Sequence, residues 1–83
     1  MPRTSTGRIV DVGNIVKVVA VPPDLDRMPK DMQIAFRAIV GHRFKVRSVH
    51  PEAKVLELDV SRIVDPLLGS FLNSVWIEPE CVA

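Results

Sequence analysis

The chain has 83 residues, of which 47% are hydrophobic and 25% charged, and its formal net charge is +1. This size and composition predict one globular domain and exclude both an intrinsically disordered chain and a strongly basic nucleic-acid-binding arm. Cys81 is the one cysteine, which excludes a disulfide or a cysteine-ligated zinc site within the chain, and no apolar run reaches the ~20 residues of a membrane span.

The beginning of the chain predicts a flexible tail over Met1–Gly7, which lacks the apolar core of a signal peptide, followed by a single domain over residues 8–83. We therefore expect a cytoplasmic protein of bacterial type that does not associate with membranes. Arg8–Val12 is a short strand-like run. Ile15–Val21 (IVKVVAV) is almost wholly β-branched and predicts the strongest strand, which ends at the prolines that follow.

The hydrophobic period changes after Pro29 and predicts a helix over Lys30–Val40. Apolar side chains recur there at helical spacing, at Met32, Ala35, Phe36, Ile39 and Val40. Pro29 suits the first helical turn because its missing N–H has no partner there, and Gly41 is placed to end the helix in a left-handed conformation. The helix is therefore inserted between the first two long strands.

Two alternating runs, His42–Val49 and Lys54–Val60, are joined by a short turn and predict a β-hairpin. The alternation predicts inward side chains at Phe44, Val46, Leu56, Leu58 and Val60, and outward side chains at Lys45, Arg47, Val49, Glu57 and Asp59. The outward bases and acids can meet across the hairpin, where an opposite-charge pair contributes roughly 0.2–1 kcal/mol.

Ser61–Asn73 contains several helix-breaking residues and predicts a long loop with room for one helical turn, whose apolar residues pack down as a lid. Val75–Ile77 is the last long strand, and a turn at Pro79 leads into a short strand over Cys81–Ala83. Short strands, tight turns and one helix predict a mainly β domain, a small barrel or roll whose open end the helix closes.

Four stretches resemble the small barrels of the Src-homology-3-like kind: Gly13–Val18 (GNIVKV), Gly41–Val46 (GHRFKV), Lys54–Val60 (KVLELDV) and Val75–Val82 (VWIEPECV). The first three are similar to the opening strands of these barrels. The last is similar to their ending, in which a strand passes through a Pro-Glu turn into a final short strand. Such barrels occur in the variable chain of ferredoxin–thioredoxin reductase, in the nitrile hydratase β-chain and in ribosomal and transcription-factor modules of the KOW type.

The resemblance implies a five-stranded barrel over most of the chain, and it implies no catalytic residue. The residues themselves point the same way. His42 and His50 lie at opposite ends of one predicted strand, about 26 Å apart at ~3.3 Å per residue, which is too far to share a metal ion. Cys81 has no histidine beside it that would lower its pKa, so a structural cysteine is favoured over a reactive one. We expect a protein without enzymatic activity, cofactor or metal.

The strand Ile15–Val21 is apolar on both faces. If Val16 and its alternate neighbours face the core, then Ile15, Val19 and Val21 face outward. Either the lid and the helix cover these side chains, which we favour, or a protein partner or a second copy of the chain does.

Trp76 raises the same question in the last strand. Strand alternation places it on the outer face, and the favoured interpretation is that Leu67–Leu72 of the lid covers it. If Trp76 is exposed instead, it joins Ile15, Val19 and Val21 as a candidate partner surface, because tryptophan is enriched at interface hot spots. Because the sequence offers no catalytic groups and has a surplus of apolar strand residues, the expected function is that of a non-catalytic accessory or regulatory subunit acting by protein–protein interaction.

The alternative function is nucleic-acid binding, as in KOW-type barrels, through a basic sheet face. Its candidate residues are Arg43, Lys45, Arg47 and Lys54. The acids Glu57 and Asp59 on the adjacent strand neutralise much of this charge, so a solvated, salt-bridged face is the favoured interpretation.

Overall fold

The computed structural model describes residues 3–50, 52, 54–69 and 73–83. In chain order, the elements are strand β1 (Ile15–Lys17), helix α1 (Lys30–Ile39), strands β2 (Arg43–His50) and β3 (Val55–Asp59), helix α2 (Ser61–Leu68) and strand β4 (Ser74–Ile77). Short 3₁₀ turns cover Leu25–Arg27 before α1 and Pro79–Cys81 after β4.

The four strands form one antiparallel sheet in the order β1-β2-β3-β4. The prediction of a sheet-rich domain with a helix between the first two long strands is confirmed. The described residues do not form the predicted closed five-stranded barrel. Their four-stranded sheet is open, and a second helix lies against the first. The fold is therefore a mixed one, with an open four-stranded sheet and two helices.

β1 is shorter than the predicted strand Ile15–Val21 because its outer edge pairs with the end of the chain at only a few positions. Val18 forms an isolated bridge to Val82, and Lys17 and Ala83 exchange backbone hydrogen bonds of 3.0 and 2.8 Å. The predicted strand Cys81–Ala83 is thus a 3₁₀ turn followed by this bridge. The predicted strand Arg8–Val12 is likewise reduced to a bridge between Ile9 and Arg3.

The β2–β3 hairpin forms as predicted, but a bulge in β2 changes which side chains face the core. The register shifts between Val46 and Ser48, so that Ser48 pairs with Glu57 and Val49 pairs with Leu56. The extra residue reverses the alternation beyond it. Val49, predicted to point outward, is therefore partly buried against the core. Positions 51 and 53 of the predicted turn lie outside the described residues.

The predicted helix is confirmed as α1, which ends one residue before the predicted limit. Ala35, Phe36 and Ile39 are buried, and Met32 packs against the same core. Val40 has left the helix and is 39% exposed. Apart from Val40, the apolar stripe read from the sequence is therefore the face that α1 turns towards the core.

The loop predicted over Ser61–Asn73 is wrong for its first part, which is helix α2. Val60, Val64 and Leu68 are spaced four residues apart and lie on one side of the helix, with Val60 and Val64 fully buried. Burial of this face outweighs the backbone hydrogen bond that Pro66 removes. Residues 70–72 of the predicted lid lie outside the described residues.

The described part of the predicted N-terminal tail lies against the C-terminal residues. The backbone N–H and the hydroxyl of Ser5 both donate to the carbonyl of Val82, at 2.9 and 2.8 Å, and Thr4 is buried. Residues 3–7 therefore add hydrogen bonds to the C-terminal segment that pairs with β1. The mobility of this tail stays a prediction.

The core lies between the sheet and the two helices. Its largest fully buried side chains are Phe36, Ile39, Leu56, Leu58 and Ile77, and a set of valines fills the space between them. Every side chain of the predicted hairpin core is buried.

Candidate functional site

A cleft lies where the outer edge of the β1–β2 pair meets the beginning of α2. Its volume is about 370 Å³, and it is lined by Ile15, Arg43, Phe44, Lys45, Asp59, Ser61 and Arg62. This size falls at the small end of ligand sites, which span roughly 300–1,000 Å³. Three cationic side chains line it with one carboxylate, so the cleft is locally basic.

Arg62 is the cation that the fold positions most firmly. Its guanidinium carbon lies 5.0 Å from the centroid of the Phe44 ring, and it also donates a hydrogen bond to the backbone carbonyl of Arg43. A cation over an aromatic face gains roughly 0.5–1 kcal/mol at an exposed site. The guanidinium therefore links the beginning of α2 to β2 and forms one wall of the cleft.

Asp59 is the one acid of the cleft, and it is engaged with the helix. Its carboxylate accepts hydrogen bonds from the Ser61 hydroxyl at 2.8 Å and from the Ser61 backbone N–H at 3.2 Å. These two bonds, the hydroxyl first, lower the pKa of Asp59, and the charges of Arg47 and Arg62 lower it further. Asp59 is therefore ionised at neutral pH and caps the beginning of α2.

The predicted basic face is divided by the structure. Arg43 and Lys45 line the cleft, and Lys54 lies in the β2–β3 turn with a positive φ of 55°. Arg47 is exposed at the bulge, where its charge helps to lower the pKa of Glu57 and of Asp59. Arg47 therefore interacts with both neighbouring acids, whereas Arg43 and Lys45 line the cleft together with Asp59.

The four residues of the predicted partner surface are all exposed. The exposed fractions are 49% for Ile15, 43% for Val19, 37% for Val21 and 46% for Trp76. The parts of the predicted lid and of the helix that the structure describes therefore leave these side chains exposed, and residues 70–72 of the lid lie outside the described residues. Leu67, which belongs to the predicted cover Leu67–Leu72, is itself 55% exposed.

These four residues do not lie at one place on the sheet. Ile15 sits opposite Lys45 and lines the basic cleft, whereas Val19 and Val21 follow β1 and lie beside Cys81. Trp76 belongs to β4, which two strands separate from β1. The structure therefore joins Ile15 to the basic residues and leaves Trp76 on a different part of the outer face.

Trp76 makes its own contacts on that part of the sheet. It pairs with Glu57 of β3, and the rings of Trp76 and His50 meet edge to face with centroids 6.0 Å apart. This arrangement holds the indole in place on the sheet surface. Trp76 therefore presents a fixed, half-exposed aromatic surface.

Sequence reasoning missed Arg62, Asp59 and Ser61 as residues of the site. The signal that was available is Asp59 two residues before Ser61, a spacing at which a carboxylate caps the beginning of a helix. Pro66 and Gly69 concealed it, because they suggested a loop where α2 forms. Without α2, nothing in the sequence brings Arg62 to β2.

Cys81 and the two histidines lie outside this cleft. Burial, together with the charges of Glu78 and Glu80, raises the pKa of the Cys81 thiol to about 11, and its sulfur contacts the carbonyl of Val21 at 3.6 Å. The ring of His42 lies 6.4 Å from that of Phe44, at the opposite end of β2 from His50. The described residues hold no cluster of three or more His, Cys, Asp or Glu side chains able to bind a metal ion.

A scan against protein-family models, a search of the curated proteins and a search of the solved structures each found no match. Neither helix, within the ranges that the structure describes, has the length and apolar character needed to cross a membrane.

Proposed function

We propose that this chain is a small non-catalytic binding module that serves as an accessory or regulatory subunit by protein–protein interaction. The observation that carries the proposal is the exposure of large apolar side chains on the sheet, with Ile15 at 49% and Trp76 at 46%. A partner that docks on the sheet would bury them, and tryptophan is enriched among the residues that dominate binding free energy.

The same proposal takes the domain to be a Src-homology-3-like barrel. Its support lies in the two ends of the chain. The Pro79–Cys81 turn brings Val82 beside Val18, as expected of a strand that passes through a Pro-Glu turn into a short final strand. In addition, β2 pairs with β1 through its first half and with β3 through its second half, so that the sheet can curve around the core.

The protonation state of the Cys81 thiol supports a non-catalytic role. A thiol with a pKa of about 11 is almost fully protonated at neutral pH, so Cys81 is a poor nucleophile. Its burial and its contact with Val21 give it a structural role.

Site-specific cross-linking tests this function. A photo-reactive amino acid replaces Ile15 or Trp76 in turn, and a matched control replaces the exposed Arg27 in the turn before α1. We expect a discrete cross-linked species from position 15 or position 76 and none from position 27.

Sedimentation of the purified chain at two concentrations completes this test, because it tells a second copy from a different partner. A mass that doubles at the higher concentration assigns the exposed surface to a homodimer. A monomer at both concentrations, together with no adduct from either Ile15 or Trp76, contradicts the proposal.

Nucleic-acid binding is the second candidate function, and the cleft is the observation that favours it. Arg43, Lys45 and Arg62 line one depression and can contact consecutive phosphates. Three phosphate contacts on a single strand give a slope of about −2 in a plot of log affinity against log salt concentration. A slope near zero, or no binding to RNA or DNA at low salt, rules this function out.

A further inference from the structure

We infer that the basic cleft binds an acidic segment of a protein partner. An aspartate or glutamate carboxylate of that segment lies on Arg43, Lys45 and Arg62, and a neighbouring apolar side chain lies on Ile15. The inference rests on the proposed function and names the chemistry of the partner.

The first support is the placement of the cations. The guanidinium of Arg62 lies over the Phe44 ring and donates one hydrogen bond to the carbonyl of Arg43. A guanidinium carries five N–H donors, so others remain for a ligand. The remaining donors have the planar fork geometry that fits a carboxylate with two parallel hydrogen bonds. Because the group is already positioned, binding an anion costs little additional side-chain entropy.

The second support is that Asp59 is occupied by α2. The hydrogen bonds described for its carboxylate go to the Ser61 hydroxyl and backbone N–H. Its pKa is lowered, so it stays an anion that caps the helix and moderates the positive charge of the cleft. The cleft has three cationic side chains and one carboxylate, so it keeps a net positive charge. It can therefore accept one further carboxylate from a ligand.

The third support is the apolar residue next to the cations. Ile15 pairs directly with Lys45 across β1 and β2, so the two side chains stand on the same face at a cross-strand separation of about 5 Å between Cβ atoms. A ligand that fills both positions carries an apolar group beside its carboxylate. A protein segment with alternating acidic and apolar residues has this chemistry.

The charge distribution favours a protein segment over nucleic acid. The carboxylate of Asp59 lies within the cleft, and Glu57 lies two residues before it on the same strand. A single ligand carboxylate can lie on the cations away from these acids, whereas a continuous phosphate backbone carries successive charges past them. The sequence pI of about 8.0 is also below the values above about 9 that are typical of nucleic-acid-binding domains. Trp76, which could stack on a base, lies two strands away from β1.

A nuclear magnetic resonance titration tests the inference. The isotope-labelled chain is titrated with a short peptide in which glutamate alternates with leucine, and separately with a matched peptide in which glutamine replaces glutamate. We expect saturable shifts of the backbone amides of residues 15, 43–45 and 59–62 with the glutamate peptide, and at least fivefold weaker binding of the glutamine peptide.

Charge-removing variants locate the site. We expect Arg62→Gln and Lys45→Gln each to weaken binding of the glutamate peptide about fivefold or more, and Arg27→Gln, which lies outside the cleft, to leave it unchanged. Lys45→Gln keeps the test decisive if Arg62→Gln disturbs α2, because Lys45 is an exposed strand residue.

Several outcomes overturn the inference. If both peptides bind equally at Ile15, the surface recognises the apolar side chains and not the carboxylates. The proposed function then stands, and the inference of an acidic partner segment is wrong. The absence of saturable shifts at the cleft, or tighter binding of a short single-stranded RNA there, also overturns it. If cross-linking from Ile15 and Trp76 fails as well, the proposed function falls separately.

Discussion

The Glu57 carboxylate joins three neighbouring strands through two hydroxyl groups. Ser48 of β2 donates to one carboxylate oxygen at 2.8 Å, and Ser74 of β4 donates to the other at 2.6 Å. Hydrogen bonds to a charged acceptor are stronger than those between neutral groups. Glu57 is therefore a residue that stabilises the sheet through its charged form.

The stability of the domain should consequently depend on the protonation of Glu57. The bonds from Ser74 and then Ser48 lower its pKa below the ordinary value of 4.5. The unfolded chain therefore takes up a proton first, and stability is lost as the pH falls from about 4.5 through the lowered native pKa.

We expect Glu57→Gln to reduce the loss of unfolding free energy between about pH 5 and about pH 3 by up to about 1 kcal/mol. Chemical denaturation at a series of pH values measures this loss. Glu52→Gln, in the exposed hairpin turn, is the matched control and should keep the pH dependence of the original chain. Equal pH dependence of the original chain and Glu57→Gln would contradict the stabilising role.

Cys81 gives a second prediction at the scale of a single residue. Its pKa is raised from the ordinary value of 9.0 to about 11, so the thiolate fraction at pH 8 is about 100-fold lower than for a free thiol. We expect alkylation of the native protein to be slower by at least this factor, and alkylation in denaturant to proceed at the ordinary rate. Rapid labelling of the native protein would show that the thiol is accessible and activated.

Helix α2 is the element on which the candidate site depends. It supplies Arg62 and Ser61 to the cleft, and it packs against α1 through a face that includes Val64. A helix of eight residues is too short to be stable alone, so packing and its two ends must maintain it. At the beginning of α2, the carboxylate of Asp59 accepts a hydrogen bond from the Ser61 hydroxyl. At its end, Gly69 adopts a left-handed conformation.

The end of α2 can be tested by Gly69→Ala. Gly69 has a φ of 67°, and a Cβ at this position would meet no atom within 4 Å, so the effect of alanine comes from the backbone alone. We expect the unfolding free energy to fall by about 1 kcal/mol in chemical denaturation. The exposed Leu67→Ala in the same helix should change it by less than about 0.5 kcal/mol. A stabilising Gly69→Ala would mean that the helix continues through this position.

At the scale of the whole molecule, the two ends of the chain meet on β1. Val82 bridges to Val18 and accepts two hydrogen bonds from Ser5. Val18 and Val82 are fully buried, so this junction belongs to the core although it contains no regular strand. The last residues thus hold the outer edge of β1 in place, and with it the position of Ile15 in the cleft.

Truncation of Val82 measures how much this junction contributes. Val82→Ala removes buried methyl groups and leaves a cavity, so we expect a loss of about 2 kcal/mol in the unfolding free energy. Val12→Ala, at a side chain that is 57% exposed, should cost less than about 0.5 kcal/mol. Chemical denaturation compares the two variants, and equal losses would contradict the idea that the end of the chain is part of the core.

Sequence patterns predicted α1, the β2–β3 hairpin and the last strand well because their apolar residues repeat at a regular period. The periodicity of apolar residues led to a wrong prediction at two places in the chain. At the bulge, one extra residue reverses the alternation and carries Val49 inward. In α2, Pro66 and Gly69 pointed to a loop, while burial of Val64 against the core favours the helix.

The sequence by itself determined the insertion of α1 and the identity of most core residues, because local periodicity and propensity carry that information. Only the tertiary structure decided which residues line the candidate site. Ile15, Lys45 and Arg62 come from three separate elements, and β1–β2 pairing together with the contact of Arg62 with Phe44 brings them to one cleft. Trp76 remained exposed for a similar reason, since coverage of a side chain depends on non-local packing that one-dimensional periodicity does not encode.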